Sequence, residues 1–203
     1  ASEHCIATHP SDMCVALAAL DAVVHVESPR GPRAIPFAGF HRLPGERPQQ
    51  DTVLAHDELI VAIALPPAQG FRGHSVYLKL RERLSYAFAL VSVAGVLDLA
   101  EDGTIRAARV ALGGVAHKPW RDPAAEALLA GRKCDETAFK EVADALLKDA
   151  QAQGVGAGSN AFKITLAKRA VVRALQQAAK GTVTNMGDNV QAALDFGLPP
   201  NEN

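Results

Sequence analysis

The sequence predicts an α+β protein. Strand patterns crowd the first half and continue to residue 112, whereas helical periodicity takes over from residue 123. Two long strand patterns are joined by a short Gly-containing turn, which demands antiparallel pairing. Strands first and helices later is the signature of segregated α+β architecture rather than alternating α/β.

The elements follow in order. His9-Pro10-Ser11-Asp12 punctuates the start, with Ser11 or Asp12 as N-cap; Met13, Ala16, Leu17 and Leu20 then recur at helical spacing, which predicts a helix over 12–20. Residues 22–27 (AVVHVE) alternate and are β-branched, hence a strand. Pro29 to Pro32 make a turn, a second strand begins at Arg33, and 37–40 read as a short turn or helical piece. Residues 41–51 are polar and proline-rich, a loop. Residues 58–65 (ELIVAIAL) read as a buried or half-buried strand stopped by Pro66-Pro67. A boundary between units falls at 66–74. Strands are predicted at 75–80, 88–99 and 105–112, the last two joined by Glu101-Asp102-Gly103 as a type I′-like turn. Helices are predicted at 123–130, with Gly131 as C-cap, at 135–151 and at 160–179, with a small-residue loop over 154–159. Residues 181–203 carry no strong pattern and are expected to form a poorly ordered tail.

Composition excludes several classes. The 203 residues are 48% hydrophobic and 21% charged with net charge −1, so nothing electrostatic points to nucleic acid or an anionic membrane as partner. No apolar run is long enough to span a bilayer. Three cysteines, Cys5, Cys14 and Cys134, are too few and too widely spaced for a disulfide framework. The chain opens at Ala1 without an initiator Met and without a visible leader, and reads as a fragment or processed chain.

Four groups of residues could carry chemistry. Gly113-Gly114 follows a strand and suits either phosphate binding or a plain turn out of a sheet. His4, Cys5, His9 and Asp12 lie close together and could hold a metal, although their spacing fits no zinc pattern. Tyr77, Lys79, Arg81 and Arg83 fall on one face if the strand persists, with Ser85 and Tyr86 beyond. That row suits a flat anionic ligand, or equally an edge strand guarded by charge. Trp120 reads as a packing anchor at a loop–helix junction. From the residues alone, the reading is a soluble α+β protein with either an anion or cofactor site or a charge-guarded edge strand around 77–86.

Ordered segments then add a resemblance. CIATHPSD at 5–12, DELIVAIALP at 57–66, YLKLRERLSYAFALVSVA at 77–94, ALGGVAHKPWR at 111–121 and NAFKITLAKRAVVRAL at 160–175 resemble the FAD-binding (medium) subunit of the xanthine dehydrogenase and carbon monoxide dehydrogenase family of molybdenum hydroxylases. More narrowly, they are similar to the flavoprotein subunit of bacterial periplasmic-type aldehyde oxidoreductases. The resemblance implies that residues 1–66 are the later part of a two-lobed PCMH-type FAD-binding domain. Residues 70–180 would be the family's C-terminal domain, a three-stranded antiparallel sheet packed with a helical bundle. It also implies that the first FAD lobe and its Gly-rich pyrophosphate loops precede Ala1.

Residue roles are implied in the same way. Asp12 matches a carboxylate that contacts the flavin nucleotide, with an N-cap as the simpler alternative. Ile60 matches an apolar position bordering the isoalloxazine, with strand core as the alternative. Lys79 matches a lysine beside the flavin, where a cation stabilises negative charge on the reduced ring. Tyr86 matches an aromatic near the flavin. Cys5 falls where the last ligand of a [4Fe–4S] cluster is expected in the aldehyde oxidoreductase subgroup, the other ligands lying upstream. Cys14 and Cys134 read as small buried apolar residues. The implied partners are a molybdopterin-binding large subunit and a [2Fe–2S] small subunit. In xanthine dehydrogenases a more acidic loop helps bind NAD; Arg83-Leu84-Ser85-Tyr86 here argues against NAD, and the resemblance leaves the external acceptor open among such carriers as a quinone, O₂ or a redox protein. The compartment stays open between bacterial periplasm and cytoplasm.

Two rival expectations accompany this one. The chain could be a non-catalytic assembly module that has lost its first lobe, or a flavin oxidase of the wider vanillyl-alcohol-oxidase fold. The 111–121 and 160–175 segments fit the hydroxylase subunit better.

Overall fold

The computed structural model describes residues 3–67 and 70–182. The tail expected from 183 onward lies outside the described residues. Two three-stranded antiparallel sheets follow one another along the chain.

The first sheet has the order β2-β1-β3 and is built from β1 (Val23–Glu27), β2 (Arg33–Pro36) and β3 (Leu59–Ala64). Alternation in β1 turns Val24 and Val26 inward, where they pack with Leu17, Ala22, Ile35, Phe37 and Phe40. β3 corrects an expectation. All six of its residues are exposed, although the segment reads as buried strand. It is an edge strand, and among the described residues nothing covers it. An exposed apolar run of this kind is a candidate packing surface.

The second sheet has the order β4-β5-β6: β4 (Ser75–Leu80), β5 (Val91–Leu99) and β6 (Ile105–Gly113). β5 is central and buried on both faces through Leu97. On one face Val91, Val93 and Leu97 meet Phe139, Val142, Val171 and Leu175 from the helices. Those helices are α2 (Pro123–Ala127), α3 (Glu136–Leu146) and α4 (Phe162–Lys180), while α1 (Asp12–Ala19) opens the chain. On the opposite face, Ala94, Val96 and Ala111 receive Val15 and Ala19 of α1. Helix α1 is therefore apolar on two sides: it gives Leu17 to the first sheet's core and Val15 to the second.

Gly113 permits that approach. A Cβ there would lie 2.6 Å from Val15 Cγ2 and 2.4 Å from Ser92 Oγ. Gly114 turns the chain away at φ +75°. Close packing thus accounts for Gly113 and positive φ for Gly114.

The far end of α1 is tied electrostatically. Arg121 donates to Glu126 through Nε (2.6 Å) and Nη2 (2.9 Å), to the Ala18 carbonyl (2.9 Å) and to Asp21, which also pairs with Arg109 at 3.0 Å. Glu126 is 5% exposed and accepts a third bond from the Val110 amide. A cation at a helix C-terminus is well placed against the helix dipole.

Other departures are local. β5 starts at Val91 rather than 88, leaving Phe88 exposed in the preceding loop. In the 100–104 connection only Gly103 has positive φ, so this is not a type I′ turn, which needs two such residues. Helix α3 stops at Leu146, not 151, because Trp120 Nε1 caps the Leu146 carbonyl at 2.8 Å and the residues beyond Leu147 are exposed. That bond makes Trp120 the packing anchor the sequence suggests.

Candidate functional site

The N-terminus of α1 meets β4 at a polar cluster. Ser11 is the N-cap, its hydroxyl accepting from the Cys14 amide, which leaves Asp12 free to reach outward from the first helical position. Lys79 Nζ donates to Asp12 Oδ2 at 2.6 Å, and the Tyr77 hydroxyl donates to Asp12 Oδ1 at 3.0 Å. Alternation along β4 puts Tyr77 and Lys79 on the same face, and α1 supplies the carboxylate from 65 and 67 residues away. Burial, seconded by Asp12, pushes the Tyr77 phenol far above its ordinary value, so it stays a donor. The helix N-terminus adds to the stabilisation of the Asp12 carboxylate. Two of its roughly four acceptor positions are used, and it can take further N–H or O–H donors.

Asp12 and Lys79 are thus brought together, and Tyr77 joins them, a residue that alternation with Lys79 points to. Arg81 and Arg83 do not continue the row, because β4 ends at Leu80. Arg83 instead donates to the Tyr86 carbonyl at 2.8 Å and closes the 81–90 loop on itself. Tyr86 sits in that loop at φ +50° with its side chain 97% exposed. A left-handed backbone costs a non-glycine residue on the order of 1–2 kcal/mol, and no described contact of the ring offsets it. Ile60 lies on the first sheet, opposite Val26, and is 43% exposed, so it is not strand core. Neither Ile60 nor Tyr86 enters the Asp12 network.

The group His4, Cys5, His9 and Asp12 is not assembled. His4 pairs with Glu46 at 3.1 Å, Asp12 with Lys79, and the Cys5 carbonyl accepts from His117 Nε2 at 2.8 Å. The Cys5 thiol is free and half-buried. His9 joins Cys14 and His41 instead, with one ligand atom from each within 4.8 Å of the others. Burial first, then His9 and Lys118, lower His41 to about 4, against an opposing pull from Asp51. Cys14 and Cys134 are half-buried rather than buried.

A cavity of about 280 Å³ lies between the N-terminal segment and α3–α4, lined by Ile6, Leu43, Trp120, Leu147, Lys163 and Ile164 among others. The Lys163 ammonium inside it is held by the Gly114 carbonyl at 2.8 Å, and burial lowers its pKa. Gly114 and Trp120 line it, whereas Cys5, Asp12, Ile60, Lys79 and Tyr86 do not.

Comparison with known proteins decides the family. Residues 75–178 match the CO dehydrogenase flavoprotein C-terminal domain, and residues 4–68 match the FAD binding domain in molybdopterin dehydrogenase. The chain belongs to the FAD-binding subunits of the molybdenum hydroxylases. Within that family it is 48% identical over 178 residues to the aldehyde oxidoreductase FAD-binding subunit PaoB of Escherichia coli (strain K12), covering 87% of this chain and 51% of PaoB. Among solved structures, quinoline 2-oxidoreductase from Pseudomonas putida 86 aligns with a TM-score of 0.71 at 26% identity, over 86% of this chain and 57% of that one. Carbon monoxide dehydrogenase from Hydrogenophaga pseudoflava aligns with a TM-score of 0.69 at 30% identity, over 82% and 58%. The chain spans about half the length of the curated relatives it matches. The α+β architecture with two antiparallel sheets agrees with these neighbours.

Proposed function

We propose that this chain supplies one wall of an FAD site in an electron-transfer subunit of a molybdenum hydroxylase. The observation that carries the reading is the Asp12–Lys79–Tyr77 cluster in a chain of this family. Bound FAD would accept two electrons and release them to another carrier. This chain's own residues bind and orient. Asp12 keeps acceptor capacity for a ribose hydroxyl or ring N–H, and Lys79 holds a positive charge, 2.6 Å from Asp12, that favours an electron-rich ring. Ile60, on an apolar edge strand that no other described residue covers, and Tyr86, fully exposed on a closed loop, offer apolar and aromatic surface for the flavin. The open β3 edge suits packing against the rest of a subunit about twice as long.

In the whole complex, a molybdopterin-binding large subunit would oxidise an aldehyde or N-heterocycle. A [2Fe–2S] small subunit would relay electrons to the flavin, which would pass them to a quinone, O₂ or a redox protein. Cys5, with its thiol free, would serve as one ligand of a [4Fe–4S] cluster whose other ligands this chain does not contain. Among the described residues nothing supplies a substrate-oxidising centre, and the chain alone is expected to be inactive.

The test uses the full-length subunit with its partners. Lys79→Ala removes a charge-assisted contact worth about 1.5–3 kcal/mol, which should weaken FAD binding by roughly 10- to 100-fold or slow flavin reduction. Tyr86→Ala should do the same to a lesser degree while leaving the melting temperature unchanged. Unaltered FAD content together with unaltered flavin reduction in both variants would refute the site.

A further inference from the structure

We propose that His9, Cys14 and His41 form a zinc-class metal site. The three donors come from unrelated parts of the chain: an extended N-terminal segment, the third position of α1, and the residue after the 37–40 turn. One ligand atom from each lies within 4.8 Å of the others. Zinc bonds of about 2.0–2.1 Å to nitrogen and 2.3 Å to sulfur place neighbouring donors about 3.3–3.6 Å apart in a tetrahedron. The set therefore has to close by at most about 1.5 Å, within the reach of side-chain rotation.

A second observation points independently to a ligand. His9 Nε2 is buried and has no hydrogen-bond partner among the described residues. A buried polar atom left unpaired costs about 1–3 kcal/mol, and such atoms in native proteins often mark an ion or water. The surroundings hold the rings in place. The His9 amide donates to the Ala116 carbonyl at 2.8 Å. The His41 ring stands edge-on to Phe37 (5.3 Å), Phe40 (5.0 Å) and His9 (4.6 Å), and its backbone is bridged to Thr52. These contacts limit how far the donors must move to seat an ion.

The donor set selects the metal. Two imidazoles and one thiolate suit a borderline or soft ion and disfavour calcium or magnesium, which want oxygen. The fourth position is open to water. Around His41, Lys118 acts as a repulsive charge and Asp51 as an attractive one. Binding releases the Cys14 thiol proton, so one proton leaves per ion bound. The ion would clip the N-terminal segment, α1 and the 37–41 turn together, on the turn of helix that carries Asp12. This site is independent of the flavin reading, of Cys5 and of any [4Fe–4S] cluster.

The test uses the full-length subunit, whatever its flavin and iron–sulfur content, with Zn²⁺ alone as probe. One equivalent of Zn²⁺ should bind at micromolar concentration or below. X-ray absorption at the zinc edge, which iron and flavin leave undisturbed, should show one sulfur and two or more light N/O neighbours. Alkylation followed by mass spectrometry should find Cys14 protected by Zn²⁺ and Cys134 labelled at an unchanged rate. Cys14→Ser and His41→Gln should each weaken zinc binding by on the order of 100-fold, more than loss of an outer-shell partner costs. Absence of zinc uptake, alkylation of Cys14 unaffected by zinc, or a sulfur neighbour that survives Cys14→Ser would each overturn the proposal. The absorption and alkylation measurements need no variant, so they decide the matter even where a substitution unfolds the protein.

Discussion

Replacing Arg121 with alanine should be the most damaging single change at the junction between the two sheets. The carboxylate it serves, Glu126, is 5% exposed and accepts two bonds from the guanidinium and one from the Val110 amide. Arg121→Ala leaves that charge buried with one donor. Removing one partner of a buried pair costs about 3–5 kcal/mol, chiefly through the charge left behind. The second arm, to Asp21, adds at most about 1 kcal/mol, because Asp21 is largely solvated and keeps Arg109. For a chain of this size, with about 2–4 °C per kcal/mol, the melting temperature should fall by roughly 6–20 °C. Urea titration should give the same loss with an unchanged slope. The double variant Arg121→Met/Glu126→Gln is the decisive control. It removes the buried charge, keeps an acceptor for the Val110 amide, and should recover all but about 1–2 kcal/mol. A loss below about 1 kcal/mol for Arg121→Ala, or no recovery in the double variant, would refute the buried-charge argument.

Two further outcomes follow from packing and from charge. Gly113→Ala forces a methyl to within 2.4 Å of Ser92 Oγ and 2.6 Å of Val15 Cγ2, so overpacking should cost about 1–3 kcal/mol in urea titration; adding Val15→Ala should return part of it. A Gly113→Ala variant as stable as the parent would mean that α1 does not lie so close to the second sheet. Glu58 is held by Arg33 and the Ala55 amide, which lower its carboxyl to about 2 from an ordinary 4.5. A depressed carboxyl contributes stability that is full above pH 4.5 and is lost as pH falls from 4.5 through about 2. The urea-midpoint gap between the parent and Glu58→Gln should therefore narrow across that window, and a gap constant with pH would exclude this ion pair as its source.

Much of the fold is legible locally because its signals are local. The 22–27 alternation, the Ser11 cap, the Asp135 cap and the long apolar period of 160–179 each depend on residues a few positions apart. Where the reading fails, the cause is nonlocal. The run 59–64 looks like a buried strand from its composition alone, whereas the described elements leave all six residues exposed. The row through Arg83 breaks because β4 stops where pairing with β5 ends, at Leu80↔Val91.

The candidate sites divide along the same line. By itself the sequence determined the α+β order, the shared face of Tyr77 and Lys79, and the family resemblance that singles out Asp12, Ile60, Lys79, Tyr86 and Cys5. Only the tertiary structure decided that Asp12 meets Lys79 and Tyr77, that His9 leaves Cys5 for Cys14 and His41, and that Arg121 closes on Glu126 and Asp21 together. Periodicity reports which way a side chain faces within its own element. Which groups meet across elements depends on how α1 settles between two sheets, and that is set by complementary shape and charge at residues as far apart as Val15 and Gly113.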